Sequence, residues 1–234
     1  LYVNMPVLPE IWDGLANIHP NAEKLPIFPI MFVSIACGAI SGFHATQSPL
    51  MARCMKKEKY GRPVFYGAMI VEGIVALVWA AAATYFFQKN GMGESNAAVI
   101  VNDITNSWLG TIGGILAILG VIAAPITSGD TALRSARLII ADFFNIEQKS
   151  IKKRLLICVP MFACTFLLLL YSLRDAAGFD LIWRYFSWAN QTLSVFTLWA
   201  ITVFLVRERK GLYFIITLIP ALFMTAICAS YICV

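Results

Sequence analysis

Long apolar runs alternate with short polar turns along almost the whole chain, a pattern that predicts helices crossing a membrane. A helix needs about 20 apolar residues to cross a hydrocarbon core of about 30 Å. Runs of that kind are expected at 28–52, 64–87, 108–126, 155–173, 181–206 and 212–234. The run 28–52 changes character midway. It is apolar and small as far as Ile40, then reads Ser41-Gly42-Phe43-His44-Ala45-Thr46-Gln47-Ser48-Pro49. The run 64–87 carries one charge, Glu72, and 181–206 has a polar centre at Asn190-Gln191-Thr192-Leu193-Ser194. Between 131 and 144, Leu133, Ala136, Ile140 and Phe143 recur at spacings of three and four, which predicts an amphipathic helix. That helix is too short to span; it either lies in the interface or continues 108–126 after a kink at Pro125. A polar loop is expected at about 88–107, and Ser128 or Asp130 is placed to cap the amphipathic helix.

Composition strengthens the membrane reading. The 234 residues are 59% hydrophobic and 13% charged, with a mean hydropathy of +0.75. A soluble domain carries about 25% charged residues. This balance excludes a disordered chain, a nucleic-acid-binding protein and an ordinary soluble enzyme. The expected fold class is all-α, a polytopic transmembrane bundle of about six spans. Residues 1–26, with Pro6, Pro9, Pro20 and Pro26, read as an extracytoplasmic loop with Trp12 at headgroup level; 27–234 form the transmembrane domain. The first 25 residues lack the basic start and apolar core of a signal peptide, and the chain opens on Leu1. A fragment or processed part of a longer membrane protein is therefore expected.

Charge placement then tests the parse. Of 18 Lys and Arg, 14 fall in 53–62, 134–154 and 207–210. The remainder are Lys24, Lys89, Arg174 and Arg184. Loops after alternate spans thus hold nearly all the basic residues, the signature of cytoplasmic loops. Both chain ends then lie on the outer face. Cys37, Cys54, Cys158, Cys164, Cys228 and Cys233 sit in or beside apolar runs without a C-x-x-C, and only two histidines occur. They read as small packing residues, and neither metal centre nor disulfide framework is expected.

Polar groups inside apolar runs are the candidates for chemistry. Irregular backbone at membrane depth is tolerated only where protein or water satisfies it. A break at Ser41-Gly42 would make 28–52 a discontinuous helix whose amide and carbonyl groups face a substrate or ion. The alternative is an ordinary helix end at the interface. Ser41, Gly42, His44, Thr46 and Gln47 are the candidates there, and Gly38 with Gly42 would let a second helix approach closely. His44 is a packing residue or a proton carrier. Thr127, Ser128, Asp130 and Thr131 offer oxygens that suit a hard cation such as Na⁺, or serve as a helix cap. Arg134 stands four residues after Asp130, an i,i+4 pair. Glu72 is costly inside a span and reads as an ion relay or as a partner for another helix. Asn190 and Gln191 line a cavity or bind neighbouring helices. No phosphate loop, nucleophile elbow, zinc motif or dinucleotide fingerprint occurs, so neither catalysis nor a cofactor is expected, and any transport would be driven by an ion gradient.

Three ordered stretches resemble the carbon starvation protein A (CstA) family. They are the run from Ile35 through His44-Ala45-Thr46-Gln47-Ser48-Pro49, Val64-Phe65-Tyr66-Gly67-Ala68-Met69 with Glu72-Gly73 and Trp79-Ala80-Ala81, and Pro125 to Ala132 with Arg134-Ser135-Ala136-Arg137. The His-Ala-Thr-Gln-Ser-Pro form is similar to a shorter bacterial branch. The resemblance implies a bacterial inner-membrane transporter of peptides or pyruvate linked to carbon starvation. It also implies a LeuT-like inverted-repeat fold, in which this chain is the C-terminal half and its partners are a small-molecule substrate, H⁺ or Na⁺, the bilayer and the missing N-terminal half. The run 28–52 would then be the broken first helix of the second repeat, with Thr127 and Ser128 as hydroxyl ligands for Na⁺. A nutrient sensor and a proton-relay subunit using Glu72, His44 and Asp130 are the competing readings.

Overall fold

The structure, a computed structural model, describes residues 26–35, 40–91, 97–174 and 176–233. The expected loop 1–26, apart from Pro26, and Gly38 lie outside the described residues. Among the described residues all regular structure is helical. After a π-turn at Ile27–Met31 come α1 Phe32–Ile35, α2 Gly42–Cys54, α3 Ala68–Asn90, α4 Ala97–Phe143, α5 Ile151–Arg174, α6 Ala176–Arg207 and α7 Phe214–Cys233. Among the described residues five stretches are long and apolar enough to cross a membrane: Glu58–Asn90, Val99–Phe143, Ile151–Arg174, Leu181–Arg207 and Gly211–Cys233. They contain the expected spans from 64–87 onward. The chain is an all-α, multi-pass membrane protein.

The first expected span is not one helix. Ser41 is extended, with φ −111° and ψ 128°, and its side chain accepts from the Phe43 N–H as the N-cap of α2. The run 28–52 is therefore split between α1 and α2 at the Ser41-Gly42 step.

Two expectations need correction. The expected loop 88–107 is helical from Ala97 onward, because its polar side chains are satisfied locally. Thr105 Oγ1 donates to the Val101 carbonyl at 2.8 Å and Asn106 Nδ2 to Asn102 Oδ1 at 2.9 Å, while Ile104 and Thr105 are buried. The break in α4 lies instead at Gly110, whose φ of 64° is a left-handed value that suits glycine. Nor does a helix begin at Ser128 or Asp130: α4 runs on through Pro125 to Phe143. Pro125 removes one backbone donor. Thr127 Oγ1 bonds the Ala124 carbonyl at 2.9 Å and the Ala123 carbonyl at 3.3 Å, so this hydroxyl is satisfied inside the helix instead of capping a new one.

The described residues divide into two units, one within Tyr66–Ala132 and the other of 26–65 with 133–233. In the first, α3 leaves Ile70, Val71, Ile74, Val75, Leu77 and Val78 exposed and meets α4 where the Tyr85 and Trp108 rings lie 5.8 Å apart at a 49° tilt. In the second, α6 is the hub against which α2, α5 and α7 pack. Its core is Val33, Met224 and Ile227, ringed by Phe32, Trp188, Val195, Leu198 and Tyr231. The first half of the broken helix is thus wedged between α6 and α7, with Phe32 edge-on to Phe223 at 5.4 Å. Three polar contacts tie α6 to α7: Trp188 Nε1 to the Cys228 carbonyl at 3.2 Å, Trp199 Nε1 to Thr225 Oγ1 at 3.0 Å, and Thr202 Oγ1 to Thr217 Oγ1 at 2.8 Å.

Candidate functional site

The site is built on α6. Ser187, Asn190, Gln191, Ser194 and Thr202 are buried; spacings of three and four among the first four, and of eight on to Thr202, put them along one side of the helix. Trp183, Tyr185, Phe186, Phe196 and Phe204 are exposed. This inverts the soluble pattern, as expected where lipid surrounds the apolar face and polar groups need protein partners. Gln191 is completely buried.

Two consecutive residues of α6 reach the two halves of the broken helix. Asn190 Nδ2 donates to Ser41 Oγ at 3.2 Å, at the start of α2. Gln191 Nε2 donates to the Val33 carbonyl at 3.5 Å, in α1. Gln191 thus brings a side-chain donor from α6 onto the backbone of α1. Ser194 Oγ bonds the Gln191 carbonyl at 2.7 Å and Oε1 at 3.4 Å, which orients the amide. Gly42 makes the close approach possible. A Cβ there would collide with the Asn190 carbonyl and come within 2.8 Å of Leu193 Cβ and 3.0 Å of Ser194 N. Further along α2, Gln47 Nε2 donates to Ser135 Oγ at 3.0 Å, tying α2 to the end of α4.

The structure thus brings Ser41, Gly42, Asn190 and Gln191 together, with Gln47 about one and a half turns further along α2. His44 lies in the first turn of α2, its N–H on the Ser41 carbonyl at 3.2 Å. Thr46 bonds the Phe43 carbonyl at 2.8 Å. Thr127, Ser128, Asp130 and Thr131 are exposed on α4 within the first unit, with Thr131 Oγ1 on the Thr127 carbonyl at 2.9 Å. Glu72 is exposed on α3 in the same unit, and Arg134 is exposed on α4 in the second.

Two cavities flank the junction along α6. One, of about 400 Å³, is lined by Ile30, Leu181, Arg184, Tyr185, Trp188, Tyr231 and Ile232. The other, of about 260 Å³, is lined by Ala45, Thr46, Pro49, Arg53, Ser135, Asp142 and Leu193 among others. Asn190 and Gln191 stand between Trp188 and Leu193, and so between the two cavities along the helix. Sequence reasoning overlooked Ser135 and the first cavity. A lone arginine one turn from Trp188 was the available signal for the cavity.

The family profile of carbon starvation protein CstA matches residues 17–107 and 90–230. An uncharacterized protein of Haemophilus influenzae is 46% identical over 132 residues, covering 56% of this chain and 90% of that protein. Peptide transporter CstA of Bacillus subtilis is 30% identical over 251 aligned positions, covering 88% of this chain and 42% of the transporter. Pyruvate/proton symporter BtsT of Escherichia coli is 36% identical over 83 residues, covering 35% of this chain and 11% of the symporter. The chain therefore spans less than half the length of either named transporter. No solved structure gives a significant match.

Proposed function

Because this chain belongs to the carbon starvation protein CstA family, we propose that it forms part of a gradient-driven secondary transporter for a small nutrient, pyruvate or a short peptide. The observation that carries the reading is the junction at Asn190 and Gln191, where one helix holds both halves of a broken one. Discontinuous helices place free backbone groups at the midplane sites of transporters. The bonds here, at 3.2 and 3.5 Å, are longer than the usual 2.9–3.0 Å and belong to neutral groups. Such contacts are inexpensive to exchange for those of a passing substrate.

In this reading Ser41, Gly42, His44, Thr46, Gln47, Asn190 and Gln191 line the pathway. Glu72 and Arg134 act in ion relay or pairing, and Thr127, Ser128, Asp130 and Thr131 hold the coupling ion, H⁺ or Na⁺. The arrangement is one half of a LeuT-like inverted repeat, and an N-terminal half completes the central site. The protein sits in a bacterial inner membrane with 53–62, 134–154 and 207–210 on the cytoplasmic side, is not an enzyme, and serves carbon starvation. The test is uptake of labelled pyruvate and dialanine by proteoliposomes carrying the full-length protein, under imposed H⁺ or Na⁺ gradients. Accumulation should stop when the driving gradient is collapsed, and the ion that restores it is the coupling ion. Accumulation unaffected by collapse of both gradients would overturn the proposal.

A further inference from the structure

The larger cavity contains chemistry that the pathway described above does not use. It lies between the π-turn at Ile27–Met31, the start of α6 and the end of α7. Its volume of about 400 Å³ falls within the range of about 300–1,000 Å³ that small-molecule sites occupy. Among the described residues Arg184 is the one charged group in its lining, and Tyr185, Trp188 and Tyr231 are its aromatic neighbours. Trp188 is held in place by its bond to the Cys228 carbonyl at 3.2 Å, so that wall is fixed by a hydrogen bond that a ligand does not have to supply.

The position of Arg184 is unusual within this chain. It is one of four basic residues outside the three basic stretches. It stands 23 residues before Arg207 on the same helix, which places it about 35 Å from the basic turn at the other end. It is seven residues before Gln191, about 10 Å along α6 from the junction. A guanidinium presents paired N–H donors that match a carboxylate in a bidentate arrangement. Aromatic walls beside it accept an apolar side chain or methyl group.

We propose that this cavity is an entry subsite for substrates bearing a free carboxylate, with Arg184 pairing the carboxylate and Tyr185, Trp188 and Tyr231 receiving the remainder. The proposal rests on the transport reading for its substrate, but its test does not. The carboxylate belongs to a small organic acid or to the C-terminus of a short peptide, and the probes separate these sources. Binding of pyruvate, dialanine and dialanine amide is measured by equilibrium dialysis on the purified protein in nanodiscs. Dialanine or pyruvate should bind, with the stronger of the two naming the source. Dialanine amide should bind at least tenfold more weakly than dialanine if the source is a peptide. Arg184→Gln should weaken the carboxylate probe by about tenfold or more. Arg184→Lys should recover part of that loss, and Arg174→Gln should stay within twofold of the parent.

Failure of both acids to bind, equal binding of the acid and amide, or binding by Arg184→Gln within twofold of the parent would each overturn the subsite. In those cases Arg184 is a cation extending to the membrane surface. The acid–amide comparison uses the unmodified protein and stands even if Arg184→Gln fails to fold. Gradient-dependent uptake that is unchanged in Arg184→Gln would remove the subsite and leave the transport reading intact. Specific binding without uptake under any gradient would do the reverse.

Discussion

Helices α3 and α6 are both apolar enough to cross a membrane, yet they treat their polar residues in opposite ways. Along α3 only Ala82 is buried, and Glu72 lies on the exposed surface with Ile70, Val71 and Ile74. Along α6 the buried positions include Ser187, Asn190, Gln191, Ser194 and Thr202, while Phe196 and Phe204 face outward. Apolar area alone therefore does not decide whether a helix buries its polar groups within its own unit. In hydrocarbon surroundings, apolar side chains gain little from leaving the surface, whereas an amide without a partner costs several kcal/mol. Of these two helices, α6 has the polar groups in mid-span that need protein partners, and it is the one against which α2, α5 and α7 pack.

The strongest way to break this contrast is at glycine. Gly42→Leu should abolish substrate uptake and sharply reduce folded yield, because even a Cβ collides with the Asn190 backbone. Overpacking of this kind costs about 1–3 kcal/mol or more. Gly73→Ala on α3, where nothing lies within 4 Å, should leave thermal unfolding in detergent unchanged or slightly raised. Equal damage from the two substitutions would erase the distinction between the helices.

A smaller effect is expected from Gln191→Leu. It removes the donor to the Val33 carbonyl and the acceptor for Ser194. The loss should be about 1–3 kcal/mol, read as a lower unfolding temperature, with uptake reduced at least tenfold. The matched change on α3 is Thr84→Val, whose hydroxyl bonds only the Ala80 carbonyl of its own helix. That variant should be close to neutral in both measurements. Weaker again is Trp188→Phe, which loses a single bond to α7 and should cost about 1 kcal/mol. Last, Glu72→Gln should slow H⁺-driven uptake while leaving the unfolding temperature within a degree or two. Unchanged uptake would remove Glu72 from the relay.

Much of this contrast could be read from the residues alone. The five long helices follow from apolar runs of the length a bilayer demands. The break at Ser41-Gly42 follows from a dense polar stretch inside an apolar one. Asn190 and Gln191 stood out as amides in the middle of a span. Other features were hidden for physical reasons. Residues 97–107 look like a loop because polarity there was read as exposure, yet Thr105 is buried with its hydroxyl on its own helix. Thr127 to Thr131 look like a helix start, but the two threonine hydroxyls close on carbonyls one turn back inside a continuous α4. The cavity at Arg184 joins Ile30, Tyr185 and Tyr231, which are far apart in sequence and meet only when the π-turn, α6 and α7 come together. Pairing of Asn190 with Ser41 across 149 positions was equally invisible until the chain was folded.

The adjacency of Asn190 and Gln191 has a mechanical consequence. Neighbouring side chains on an α-helix leave its axis about 100° apart. The pair therefore acts as a two-pronged clip, with one prong on each half of the broken helix. Either half can swing alone only by giving up its own prong, and a rigid turn of α6 disturbs both together. Motion at one end of the break is thus separable from motion at the other by a single side-chain amide.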